Sequence, residues 1–329
     1  MKILAPVSSA REARHLISCG AGELYCGLHP GIRPGESGKL WVNRRGPGPA
    51  NISSGEEIKR LTEYAGRQGV PVYLTLNLPF YPPAQYPEIV GLAEEAASSW
   101  GIKAFIVGDP GMITALREKI PGVSIHVSSL LAVLNSASAS LFRDLGGSRI
   151  IFPRYMGLEE LGEIVSRVGP ETEYEVFMLN DGCVFEEGYC QASHAFGGAF
   201  CHQPWQYRPI YIPGLPERQP REPFWQHLGD YRRWLWYIKN CGGMRGPGGA
   251  PLGMCGLCAI PNLQAMGVAS LKIVGRESPL QKKMASVKLI KEALRIADSL
   301  SNEDTVRERI KKLRGTPGLC DSGYMCYFR

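Results

Sequence analysis

A chain of 329 residues is long for one domain but ordinary for a parallel barrel built around a single core. Its 44% hydrophobic and 21% charged residues are those of a globular protein and exclude disordered and fibrous classes, and no stretch approaches the roughly 20 unbroken apolar residues of a membrane span. The net charge of +6 comes partly from Lys282 to Arg314, as on solvated helix faces, so it permits nucleic-acid binding without indicating it.

Met1-Lys2 leads into a short apolar run ending at Pro6 with no cleavage-like pattern, and the expectation is a cytoplasmic protein. From there eight short β-rich runs recur: Lys2 to Ala5, Glu23 to Cys26, Val72 to Leu76, Ala104 to Val107, Ser124 to Val127, Arg149 to Phe152, Tyr174 to Met178 and Ser270 to Val274. Amphipathic helices are predicted between them, among them Ser54 to Gln68, Tyr86 to Trp100, Gly111 to Lys119, Leu131 to Leu145 and Leu158 to Val168, several stopped by glycine. Eight such units predict an α/β fold, a parallel (β/α)8 barrel. An open doubly wound sheet uses the same local pattern, but no phosphate-binding glycine fingerprint follows the first strand.

Two segments break the alternation. Gly27 to Ile52 is a Gly- and Pro-rich loop carrying Arg44-Arg45. Gly182 to Met254 is a long insertion between the seventh and eighth strands with Trp205, Trp225, Trp234 and Trp236. Connections of that length need a function or something to hold them. The aromatics suit either a small core or stacking on a flat substrate.

In parallel barrels the chemistry sits just past the strands. The residues there are Ser8, Ser9, Asn77, Asp109, Ser128, Arg154, Asn180, Asp181 and Arg276. Arg154 and Arg276 should point cations toward the mouth, where guanidinium groups recognise carboxylate or phosphate through paired hydrogen bonds, while Lys272, inside its strand, suits a core ion pair. His126 and Ser128 lie near one strand end, but no Gly-x-Ser-x-Gly elbow accompanies them, and a structural histidine fits equally well. Asp181, His126, Arg154 and Arg276 are the candidate catalytic residues.

Ten cysteines in a chain without a secretion pattern point to metal or redox chemistry. Only Cys19 and Cys26 lie in the first half. The second half holds Cys183, Cys190, Cys201, Cys241, Cys255, Cys258, Cys320 and Cys326. The tail Gly318 to Phe328, aromatic and cysteine-bearing, is expected to dock on another part of the protein.

Glu175-Val176-Phe177, then Cys183, Gly188-Tyr189-Cys190 and Ser193, resemble the signature of the collagenase-like peptidase family, family 32 of the peptidases of unknown catalytic type. Leu4-Ala5-Pro6, Gly20-Ala21-Gly22 and Leu24-Tyr25 resemble its opening, and His126, Ser128 and Asn135 its middle. Leu257-Cys258, Gly267-Val268, Ser270 to Ile273 and Gly275-Arg276 resemble its close. Asn180-Asp181-Gly182 and Tyr155 depart from the family pattern.

The resemblance implies a 4Fe-4S cluster on Cys183, Cys190, Cys201 and Cys258, as in members that hydroxylate a ubiquinone precursor or RNA bases without oxygen. Thiolates are the soft ligands such a cluster requires, and four complete one cubane. Zinc suits the same four sulfurs, and a redox pair at Cys255 and Cys258 is a further reading. Beyond the family pattern, Cys241, Cys255, Cys320 and Cys326 would suffice for a second metal centre, with ordinary thiols as the alternative, and His194 and His202 flank the first.

Residues 1–280 are thus read as the barrel, including 182–254 as a cluster-binding insertion, and 281–329 as C-terminal helices and a cysteine-containing tail. The expected partners are a small aromatic or carboxylate substrate, RNA, and a related subunit in a homo- or heterodimer. The leading function is an oxygen-independent hydroxylation or related redox reaction. A collagenase-like peptidase and a non-catalytic electron-transfer or scaffold subunit are the alternatives.

Overall fold

The eight apolar runs become strands because each is buried on both faces, as parallel sheets require. The computed structural model describes residues 1–29, 42–45, 48–183, 222–241 and 251–328, with 188, 213, 214, 246 and 249. The strands are β1 (Lys2–Pro6), β2 (Glu23–Cys26), β3 (Val72–Leu76), β4 (Ala104–Val107), β5 (Ser124–Val127), β6 (Arg149–Ile151), β7 (Glu173–Asn180), the two-residue β8 (Met254–Cys255) and β9 (Ser270–Ile273). Neighbours pair in parallel from β1 to β7, and β9 closes the ring by pairing with both β7 and β1, with Lys2 opposite Ser270. The result is the expected (β/α)8 barrel. β8 stands outside the ring, antiparallel to the end of β7, with Leu179 opposite Cys255.

The helices are α1 (Ala10–Cys19), α2 (Gly55–Arg67), α3 (Tyr86–Ser98), α4 (Pro110–Lys119), α5 (Ser136–Leu145), α6 (Leu158–Val168), α7 (Glu222–Cys241), α8 (Ile260–Ala265), α9 (Leu280–Ser299), α10 (Glu303–Arg314) and α11 (Pro317–Asp321). Their starts are capped as the sequence suggests: Ser9, Ser54, Asp109 and Asn135 each accept a backbone N–H from the first turn. Asp109 also accepts from Tyr81 N and Tyr86 Oη, so this polar residue past β4 serves the fold. The helix expected over Leu131 to Leu145 begins only at Ser136. Ser128 caps a short 3-10 turn, Ala132 takes a left-handed φ of 46°, and Asn135 starts the helix anew.

Two layers of core result. One lies between the strands and the outer helices; the other fills the barrel interior and includes Leu4, Tyr25, Tyr73, Ile106 and Phe177, with Met254, Met325 and Tyr327 from the insertion and tail. Toward the closed end the interior is ionic. Arg149 bonds both Glu23 oxygens at 2.9 and 3.0 Å and Glu175 at 3.2 Å, and Lys272 bonds Glu175 at 2.6 Å. Tyr73 and Ser270 each donate to Glu23 at 2.7 Å. Lys272 is thus the core ion pair its place inside a strand suggested. Among the described residues no helix is long and apolar enough to cross a membrane.

Candidate active site at the barrel mouth

At the C-terminal ends of the strands lies a cavity of about 460 Å³, lined by both loop and strand residues. Arg154, Asp181, Cys183 and Arg276 all line it, and the loop pair Arg44-Arg45 joins them. His126 does not. It sits in β5 opposite Arg149, its ring edge-on to Tyr73 at 4.6 Å, and its buried Nδ1 has no hydrogen-bond partner. Burial, helped by the nearby cations Arg149 and Lys272, holds its pKa well below the usual histidine range. His126 is therefore neutral at ordinary pH.

Arg276 is a tightly held cation of the mouth. It follows β9 and is 6% exposed, and its guanidinium donates to Thr75 Oγ1 at 3.0 Å, Asn43 Oδ1 at 3.0 Å and Asn51 Oδ1 at 3.3 Å. All three acceptors are neutral, and among the described residues no carboxylate forms an ion pair with it. Burial pulls its pKa down to about 10, with Arg45 pushing the same way and Tyr25, Cys26 and Glu277 opposing. Gly27 makes the seat: a Cβ there would stand 1.7 Å from Arg276 Nη1 and 2.2 Å from Asn51 Oδ1. Arg45 in turn pairs with Glu277 at 3.1 Å, tying the loop after β2 to the loop after β9.

Arg154 lies across the Phe177 ring at 3.9 Å and donates from Nε to the Asp181 carbonyl at 3.1 Å. The Asp181 carboxylate is 3.6 Å from Lys282 Nζ. Tyr155, with a left-handed φ of 67°, turns its hydroxyl to the Cys183 peptide, accepting from its N–H at 2.8 Å and donating to its carbonyl. Such a backbone is strained for an aromatic residue and persists only where its surroundings fix it. Tyr155, one of the departures from the family pattern, is thus the residue that holds Cys183. Asn180, at φ 92°, is held by Ser286 Oγ and the Val274 carbonyl.

The mouth is roofed from two sides. α7 brings Trp234 to 5.9 Å from Tyr155, and Ile238 lines the cavity. The tail brings Tyr327, whose hydroxyl donates to the Asp181 carbonyl at 2.9 Å and whose ring lies 6.2 Å from Phe177. The docked tail is the one expected from its composition. Trp225 and Trp236 remain exposed. Of the expected cluster ligands, Cys183 stands at the cavity and Cys258 packs against the outer layer. Cys190, Cys201, Trp205, His194, His202 and the side chain of Cys241 lie outside the described residues. Among the described residues no three His, Cys, Asp or Glu side chains stand together as an assembled metal site.

Sequence reasoning missed Gly27, Asn43, Asn51, Thr75 and Lys282. Asn43 and Asn51 fall in the Gly27 to Ile52 loop, whose departure from regular alternation was the available signal.

A closed parallel barrel with a cationic cavity at its C-terminal end has the architecture of a barrel enzyme. Residues 8–328 match peptidase family U32, and the chain belongs to that family. It is 27% identical over 192 residues to tRNA hydroxylation protein P of Haemophilus influenzae, covering 58% of this chain and 38% of that protein. It is 26% identical over 200 residues to the 23S rRNA 5-hydroxycytidine C2501 synthase of Escherichia coli, covering 60% and 27%. It is 24% identical over 204 residues to a collagenase of Porphyromonas gingivalis, covering 58% and 44%. The chain spans less than half the length of each of these three relatives.

Proposed function

We propose that this chain is an RNA-hydroxylating enzyme, or the cluster-bearing subunit of one, that takes its oxygen from a donor other than dioxygen. The observation that carries the reading is Arg276, a buried cation braced by three neutral acceptors and facing a cavity. A buried charge with no directly bonded counter-charge is costly, and a carboxylate entering the cavity supplies one through paired hydrogen bonds. A small carboxylate, bound by Arg276, is the proposed co-substrate, and the exposed aromatics of α7 offer stacking faces to an unpaired base. Asp181, beside Lys282 on the cavity wall, is the carboxylate proposed to take or give a proton there.

A 4Fe-4S cluster fits the donor set. Cys183 stands at the cavity with its peptide clamped by Tyr155, Cys190 and Cys201 follow it within the insertion, and Cys258 would be the fourth thiolate. When bound, such a cluster supplies one-electron chemistry. The relatives' names support RNA as the macromolecule acted upon. The peptidase alternative has less behind it: Ser128 accepts from Leu130 N–H, and His126 does not line the cavity.

The test is nucleoside mass spectrometry of RNA from anaerobically grown cells that lack this gene, complemented with wild type, Cys183→Ala or Arg276→Gln. Wild type should restore a hydroxylated nucleoside, and both variants should fail to. Identical nucleoside profiles with and without the wild-type gene would overturn the proposal.

A further inference from the structure

The ionic layer inside the barrel meets the cavity at one residue. Glu23, Arg149 and Glu175 do not line the cavity, whereas Lys272, bonded to Glu175, does. Its place in β9 explains this. Side chains alternate along a strand, so Lys272, Val274 and Arg276 turn the same way, and all three line the wall. Lys272 comes four residues before Arg276 and so lies deeper, by up to about 13 Å of extended chain.

The Lys272 nitrogen donates to Glu175 at 2.6 Å and lies 4.3 Å from the centre of the Tyr25 ring. Among the described residues Glu175 is its sole hydrogen-bond acceptor. Burial lowers its pKa, with Arg149 acting the same way and Glu175 and Glu23 opposing. An ammonium has three N–H groups and an amine two, so in either state an N–H beyond the one given to Glu175 is left at the cavity surface. The residue is 6% exposed, and a buried donor without an acceptor is costly.

The charges on the two levels of the cavity decide what that acceptor is. Around Lys272 they are matched: Glu23, Glu173 and Glu175 pair with Lys2, Arg149 and Lys272. A ligand carboxylate at this depth would add an unmatched negative charge beside Glu175, and a neutral oxygen would not. The rim is the reverse, since among the described lining residues four arginines and Lys282 stand against Asp181 and Glu277. Between the levels the wall is apolar, with Ile106, Ile151, Phe177 and Val274.

We propose that Lys272 is a specificity-determining residue, donating a hydrogen bond to a neutral oxygen, hydroxyl or carbonyl, at the far end of an apolar-bodied ligand whose carboxylate sits on Arg276. This rests on the carboxylate reading of Arg276 and narrows the ligand to hydroxy or oxo acids. A long dicarboxylate is disfavoured because its second charge reaches the matched level; a short one stays at the rim.

Titration calorimetry of the anaerobic full-length protein tests this with butanoate, hexanoate and octanoate, each against its ω-hydroxy derivative, and with adipate. In the wild type the best-fitting hydroxy acid should bind about tenfold more tightly than its parent, as a hydrogen bond from a charged donor provides, and adipate should show no such gain. Lys272→Met should erase the preference while leaving the parent acids within about twofold. Lys272→Met combined with Glu175→Gln removes both charges of the pair and keeps the comparison available should the single variant not fold. A lysine serving only the fold would shift parent and hydroxy acid alike. Equal affinity within every pair in the wild type, or a preference that survives in either Lys272 variant, would overturn this proposal alone. No binding of any of these acids by the wild type would overturn it together with the reading of Arg276.

Discussion

Replacing His126 with Phe should stabilise the protein at neutral pH and remove an acid-sensitive component of its stability. The imidazole is 2% exposed, its Nδ1 is unsatisfied, and it shares the barrel interior with Arg149 and Lys272. A buried polar atom without a partner costs about 1–3 kcal/mol, and a phenyl ring of similar shape removes that cost while keeping the edge-on contact with Tyr73. The pH term follows from the direction of the shift. The folded pKa is depressed below the ordinary 6.5, so between those values the unfolded chain binds the extra proton. Stability contributed by neutral His126 is then present above 6.5 and is lost progressively as the pH falls below it, by at most about 1.4 kcal/mol per pH unit. Glu23 acts in a separate window. Burial raises its pKa, but bonds and charge from Arg149 with help from Ser270 and Tyr73 lower it overall from 4.5, so its contribution is lost only at more acid pH. Urea unfolding of wild type and His126→Phe at about pH 7.5, 6.5 and 5 measures the difference. Parallel pH dependences, or a less stable variant at neutral pH, would refute the reasoning.

Glu175→Gln should lower stability by about 3–5 kcal/mol, because Lys272 and Arg149 lose a buried counter-charge, and Lys272→Met in the same chain should recover part of it; thermal unfolding reads both. Gly27→Ala should displace Arg276 and weaken binding of malonate, a probe dicarboxylate, about tenfold by titration calorimetry, whereas Gly91→Ala, with nothing within 4 Å of its new Cβ, should leave binding unchanged. Tyr155→Phe removes the hydroxyl that holds the Cys183 peptide and should reduce iron retained through anaerobic gel filtration. Iron content equal to wild type would show that the clamp does not support the cluster.

The barrel was legible because its signal is local. Runs such as Val72 to Leu76 and Ala104 to Val107, buried throughout, coincide with the strands that form. The reading failed where short polar residues compete with the backbone: Ser128 starts a 3-10 turn that closes at Ala132, and Asn135 starts the helix only there, inside what reads as one helix. α7 was not anticipated in the insertion, since its Trp and Tyr residues are split between the roof and solvent and leave no clean stripe. The cavity cations Arg154 and Arg276 were legible from their places after strands. What braces Arg276 was not, because Thr75, Asn51 and Asn43 lie 201, 225 and 233 positions away and are joined to it only by closure of the barrel.

The account depends most on a braced, buried cation at the mouth that receives an anion. Titration calorimetry of malonate into anaerobic full-length protein, compared with Arg276→Gln and Arg276→Lys, tests it directly. One site per chain in the wild type, abolished by Gln and weakened by Lys, is the predicted result. Binding of equal strength in all three proteins, or none in the wild type, would contradict it.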